Sequence, residues 1–293
     1  MDHQNGNQSY SPYAAPTADT RLTSRMGEAF FIPGGRSVSA GTAFSWISSS
    51  WELFKQAPGK WIGFIITVIA LSIILDYIPD SVSITIFGFI DFLLSAGIVY
   101  SCFLLRKEGA FSFGDLFIAF QRKTGSLLIS FLIPFVFFFV LVIFFLFLFD
   151  GINFLKWFEV ANKTIEEADN MNEAALYFNL ILQPALLKII STKMIIGGFM
   201  VLVGWIIFSM AIWFAPALVL MHDMVPFEAV KMSFFACLKN LLPGIVFFIV
   251  AYMLMLISAL PLLLGLLVTV PMFYICGYTS YHSIFLDEKK IES

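Results

Sequence analysis

Ser126-Leu127-Leu128-Ile129-Ser130-Phe131-Leu132-Ile133-Pro134-Phe135-Val136-Phe137-Phe138-Phe139-Val140-Leu141-Val142-Ile143-Phe144-Phe145-Leu146-Phe147-Leu148-Phe149 contains no charged side chain, and nine of its residues are phenylalanine. A bilayer core about 30 Å thick is crossed by about 20 helical residues. This stretch is therefore read as a transmembrane helix, and it decides the class of the whole chain. The composition agrees: of 293 residues, 59% are hydrophobic and 13% charged, with a mean hydropathy of +0.89. Soluble domains average about 25% charged residues. A secreted disulfide scaffold and a disordered chain are excluded. The net charge of −3 leaves no basic footprint for nucleic acid.

Working outward, six apolar stretches are read as spans, at 61–79, 83–105, 126–149, 189–219, 245–260 and 262–284. Gly197-Gly198 and Gly204 interrupt the fourth without ending it, and Pro216 is placed to kink its last turn. The last two spans form one apolar block, too long for a single crossing. Pro261 in its middle blocks helix continuation. A hairpin turning near Ala259–Leu262 is the economical reading, and a re-entrant pair is its alternative. Residues 1–38 are polar and punctuated by Pro12, Pro16, Pro33, Gly34 and Gly35. They are read as a disordered tail, ahead of a membrane domain over 39–290. Residues 1–29 lack the basic-then-apolar order of a signal peptide, so the segment from Trp61 is expected to act as an uncleaved anchor.

Orientation follows from lysine and arginine. An even number of spans puts thirteen of these cations on the side of the termini, and only Lys156, Lys163, Lys188 and Lys193 opposite. Both termini are thus expected in the cytoplasm. The one sizeable outer segment, 150–188, carries Asp150, Glu159, Glu166, Glu167, Asp169 and Glu173. Its partial periodicity predicts two short helices lying on the outer face.

A repeat is legible on the basic side. Before the first, third and fifth spans lies a short amphipathic helix and a turn that ends in glycine. The first, about 42–55, places Phe44, Ile47, Trp51 and Phe54 on one face, before Lys55-Gln56-Ala57-Pro58-Gly59. The second, about 113–121, aligns Phe113, Leu116, Phe117 and Phe120, and Ser112 with Asp115 forms a capping-box signal. The third, about 226–239, aligns Phe227, Val230, Phe234 and Leu238, before Lys239-Asn240-Leu241-Leu242-Pro243-Gly244. Pro226 suits a first helical position and Glu228 the positive end of the dipole. The fold expected is an all-α polytopic bundle, six spans in three hairpins, each preceded by a cytoplasmic interfacial helix. Such faces either dip into the headgroup boundary or pack on the rim of the bundle.

Chemistry-bearing residues are sparse. Asp91 lies within the second span, where a carboxylate at the centre of a helix costs about 2.5–3.5 kcal/mol on insertion scales. It is expected to be paired or protonated, with Lys193 as cationic partner, or Ser95 or a carbonyl as hydrogen-bond partner. Asp91 and Lys193 are candidate binding residues, and so are His222 and Asp223, an imidazole beside a carboxylate at the cytoplasmic edge. A plain ending of the fourth span is the simpler reading of that pair. Cys102, Cys237 and Cys276 have no paired spacing, and His3, His222 and His282 are not at ligand spacing, so no metal site, disulfide or cofactor is expected. HExxH, Walker, GxSxG and GxGxxG motifs are absent. No catalytic residue is assigned. Gly59-Lys60-Trp61-Ile62-Gly63 matches GxxxG only at a helix start.

Three stretches carry a family resemblance. They are Ala43–Gly59 with Trp46 and Ala57-Pro58-Gly59, Gly114–Gly125, and Ala217–Pro243 with Ala-Leu-Val-Leu-Met-His-Asp and Ser233–Asn240. Together they resemble a group of proteobacterial inner-membrane proteins of unassigned activity, named only after a Burkholderia locus tag. The tail around Ser11–Pro16 is similar to an Asn-Pro-Tyr-x-x-Pro segment of that group, with Ser11 replacing Asn. The resemblance implies a bacterial cytoplasmic membrane. A more distant likeness is to the membrane domain of some glycerophosphodiester phosphodiesterases, whose catalytic domain has no counterpart here. The function expected is that of a non-enzymatic envelope scaffold or regulatory protein that binds membrane lipids or a protein partner. The alternative is a small-solute transporter or channel with Asp91 as coupling or substrate residue.

Overall fold

A computed structural model describes residues 30–75, 77–148, 192–260 and 263–287, with Asn153, Leu155, Lys156, Glu159, Val160 and Lys163 between them. Two elements of the expected layout, residues 1–29 and most of the segment 150–188, lie outside the described residues; the six described positions within that segment are helical. The chain is an all-α membrane bundle. The helices described from end to end are α1 (Thr42–Gln56), α2 (Pro58–Leu75), α3 (Asp80–Glu108), a 3-10 helix (Phe113–Phe120), α4 (Thr124–Leu148), α5 (Thr192–Trp213), α6 (Ala215–His222), α7 (Pro226–Lys239), α8 (Leu241–Ala259) and α9 (Leu266–Phe285). Two short strands, β1 (Phe30–Phe31) and β2 (Leu286–Asp287), pair antiparallel with Phe30 opposite Asp287.

Among the described residues five helices are long and apolar enough to span a membrane: α2, α3, α4, α5 continuing through α6, and α8. The chain is a multi-pass membrane protein. The sixth expected span corresponds to α9, which is 20 residues long but is not among the five. Its C-terminal half is rich in Tyr, Ser, Thr and His, which lowers its hydropathy. That half is also largely buried, with Ile275, Cys276, Tyr278, Thr279, Ser280, Tyr281, Ile284 and Phe285 enclosed.

The chain divides into two compact units, one of residues 1–130 with 213–293, the other Phe131–Ile212. In the larger unit α9 packs on α1, α2, α3 and α8, and α3 packs on the 3-10 helix and α6. Gly97 of α3 makes one of these contacts possible. A Cβ there would lie 1.8 Å from the Leu116 carbonyl oxygen, so helix and 3-10 helix touch backbone to backbone. The 3-10 helix has the expected capping box, Ser112 with Asp115. Its three-residue turn places Leu116 and Ala119 inward. At the α8–α9 turn Leu263 is left-handed (φ 65°), and Gly265 sits where a Cβ would meet the Ser258 carbonyl oxygen at 2.5 Å.

The fourth span is broken rather than kinked. α5 ends at Trp213 and α6 starts at Ala215, with Pro216 in its first turn. The Phe214 amide donates instead to Ser233 Oγ of α7 at 2.9 Å, which supplies the acceptor that the break removes. Within the smaller unit Phe138 of α4 packs edge-on against Trp205 of α5 (5.6 Å) and tilted against Phe208 (5.9 Å). Gly204 lets Leu141 approach there, with a Cβ position only 3.1 Å from its methyl.

The tail boundary expected at residue 38 is also corrected. Phe30–Val38 is bound to the bundle through β1, Arg36 and Ser37.

Candidate functional site

Two polar clusters lie in the larger unit. In the first, Asp91 of α3 accepts a hydrogen bond from the Tyr274 hydroxyl of α9. The Tyr274 ring meets Phe64 of α2 edge-on at 5.5 Å, and Phe64 is fully buried. α3 and α9 therefore meet at the carboxyl, and α2 packs on the phenol ring that bonds it. The partner found, Tyr274, is not one expected from sequence. Ser95 donates to the Phe92 carbonyl at 2.7 Å, and Lys193 is an exposed residue of α5, in the other unit. Tyr274 was missed because it lies 183 positions from Asp91. The available signal was Tyr274, Tyr278 and Tyr281, which recur at helical spacing inside an apolar block.

The second cluster gathers at the end of α6. His222 Nε2 and the Tyr281 hydroxyl are 2.5 Å apart, and the Phe31 ring lies tilted over the imidazole at 4.0 Å. Asp223, which ends α6, forms an ion pair with Lys123, the residue before α4. Both partners are left-handed, Lys123 at φ 61° and Asp223 at φ 53°. Non-glycine residues take that conformation at a cost of order 1–3 kcal/mol, and here the ion pair fixes two turns together. His222 and Asp223 thus end their helix, as the simpler reading had it, yet their side chains go to different partners.

The three short amphipathic helices expected from sequence form, as α1, the 3-10 helix and α7, but their faces need correction. In α1 the buried side is Ala43, Trp46, Ser50, Leu53 and Phe54, so Phe54 belongs to the core. Phe44 (58% exposed) and Trp51 (41%) face outward, with Lys55 Nζ 5.7 Å from the Trp51 ring. In the 3-10 helix Phe113 and Phe120 are exposed and Phe117 is half-buried. In α7 the buried side is Ala229, Val230, Ser233 and Ala236. Phe227 and Phe235 are exposed, and Phe234 is half-buried. Pro226 and Glu228 occupy the first turn as expected. The Gly59–Gly63 pair opens α2, and Gly63 faces Phe113 (3.5 Å from a Cβ).

Buried hydroxyls and thiols join α9 to α1. Trp46 Nε1 donates to Ser283 Oγ at 2.6 Å, Thr279 Oγ1 donates to the Trp46 carbonyl at 3.0 Å, and Cys276 Sγ lies 3.2 Å from Ser50 Oγ. On α7, burial pushes the Cys237 thiol up to about 12, so it stays protonated at neutral pH and is a poor nucleophile. Among the described residues no group of three His, Cys, Asp or Glu side chains is placed to hold a metal ion.

No family model, curated protein or solved structure matches the chain.

Proposed function

We propose that this chain is a non-enzymatic protein of a bacterial cytoplasmic membrane that binds membrane lipid through a collar at its basic end. In this reading α9 completes six spans, arranged as three hairpins with both termini cytoplasmic, and the family resemblance holds. One observation carries it. α1, the 3-10 helix and α7 each bury one side and leave Phe44, Trp51, Phe113, Phe120, Phe227 and Phe235 exposed. Large aromatic side chains beside lysines are the composition of an interfacial helix.

The test is a quadruple variant, Phe44→Ser, Trp51→Ser, Phe120→Ser and Phe227→Ser, extracted in native-lipid nanodiscs. It is expected to unfold at the wild-type temperature and to lose the lipids enriched by the wild-type protein, as read by mass spectrometry. Unchanged lipid enrichment would sink the collar. A stoichiometric protein lost on deleting residues 1–29 would instead make the chain a protein scaffold. That deletion stops at residue 29 because the bundle binds the residues after it.

The Asp91–Tyr274 pair favours a second reading, a small-solute transporter with Asp91 as its coupling residue. An intramembrane carboxyl that shares a hydrogen with a phenol is a site where one proton is held. Loss of a measured flux in Asp91→Asn proteoliposomes, at unchanged protein level, would support it over the collar.

A further inference from the structure

The four carbonyls that end α9 and enter β2 have no helical partner of their own, which is the general condition of a helix C-terminus. One segment of chain satisfies all four. Arg36 Nε donates to the Ser283 carbonyl at 2.6 Å, the Arg36 amide to Ile284 at 2.9 Å, the Ile32 amide to Phe285 at 2.7 Å, and Arg36 Nη2 to Leu286 at 3.1 Å. The same segment is held from its other side by the α7–α8 turn. Asn240 accepts from the Val38 amide at 2.8 Å and donates to the Arg36 carbonyl at 3.0 Å. Lys239 Nζ donates to the Gly34 carbonyl at 3.0 Å. Gly35 is left-handed (φ 64°), and a Cβ there would lie 2.8 Å from Ile284 Cγ2. At the head of the segment, Phe31 covers His222 at 4.0 Å.

We propose that Phe30–Val38 is a strap that opens as a unit and closes over the His222–Tyr281 pair. Hydrogen bonds that are long-range in sequence hold most of it, and its apolar anchor is Phe31, half-buried and stacked on Phe285 at 6.0 Å. Phe30 is 55% exposed, and Arg36 keeps 43% of its side chain in solvent where it faces Asp287. Segments held mainly by such bonds, with little apolar burial, open locally at lower free energy than the core beneath them. The core beneath is well packed: Tyr281 and Phe285 are 1% and 0% exposed. Opening therefore uncovers an imidazole hydrogen-bonded to a phenol, a ready proton acceptor and donor, without unfolding α9. The inference is independent of the lipid collar, because none of the collar aromatics contributes to the strap.

The test uses the full chain in nanodiscs. Phe30 and Asp287 are directly paired, and antiparallel partners about 4.5–5.5 Å apart at Cα are within disulfide reach. A Phe30→Cys, Asp287→Cys variant is oxidised or reduced, and diethyl pyrocarbonate modification of His222 is followed by mass spectrometry. Oxidation is expected to slow modification at least about tenfold, and reduction to restore it. In parallel, Arg36→Ala is expected to speed amide exchange of His282–Asp287 about tenfold or more while Met272–Tyr278 stays unchanged. Equal modification rates in the oxidised and reduced protein, zero included, overturn the strap as a moving part. Equal acceleration of Met272–Tyr278 in Arg36→Ala makes Phe30–Val38 an integral piece of the core instead.

Discussion

α8 and α9 are consecutive helices of 19 and 20 residues, yet they behave in opposite ways. α8 is apolar on every side and exposed: Leu242, Ile245, Phe248, Ile249, Met253, Leu256 and Ile257 all lie on its surface. α9 carries Thr279, Ser280 and Tyr281 and buries all of them. The difference teaches how a bilayer inverts the soluble rule. Lipid takes the apolar helix without a driving force for burial, whereas hydroxyls and phenols need partners that only protein supplies. The more polar helix is therefore the central one. Its contacts with Asp91, Trp46, Ser50 and His222 are the reason it fits there.

The sharpest break of this comparison is expected at Gly97, on the helix that α9 packs against. Gly97→Ala drives a methyl into the Leu116 backbone. That clash cannot be relieved by a rotamer, so a loss of at least about 3 kcal/mol is expected, read as failure to give a monodisperse folded protein. Its control is Gly244→Ala on α8, where a Cβ meets nothing within 4 Å; there thermal stability is expected to hold or rise by up to about 1 kcal/mol. A second break is Tyr274→Phe, which removes the donor to Asp91. A loss of about 1–3 kcal/mol is expected, and a double-mutant cycle with Asp91→Leu should show strong coupling. Additive effects would show that the pair contributes nothing as a pair. Third, Ser233→Ala should lower stability by about 1–2 kcal/mol in denaturant titration, because it orphans the Phe214 amide at the break between α5 and α6. The smallest effects belong to α8: Tyr252→Phe and Ile257→Leu are expected within about 0.5 kcal/mol of wild type. A loss there as large as that of Tyr274→Phe would mean that α8 is covered by protein.

Much of the fold was legible along the chain. The long apolar runs, the Ser112–Asp115 cap, Pro226 in the first turn of α7 and the turn after Ala259 are local features that a few neighbouring residues encode. The break before Pro216 was only half legible. Proline marked the place, but the acceptor that stabilises the break is Ser233, on another helix. The ranges of α1, the 3-10 helix and α7 were legible too, but their buried faces were not, because aromatic size is a poor guide to which side packs inward. α7 instead buries its small side, Ala229, Ser233 and Ala236, because close helix contact in a membrane favours small residues. Phe54 went the other way, into the core.

The sequence by itself determined that this chain lives in a membrane, where its long helices fall and where they stop, because hydropathy, proline and capping act over one or two turns. The tertiary structure alone decided that Tyr274 meets Asp91, that α9 is central in its unit, and that Phe30–Val38 closes on the other end of the chain. Those choices join residues from 59 to 250 positions apart. No local pattern encodes which buried hydrogen-bonding group finds which partner; that is settled only when the helices pack.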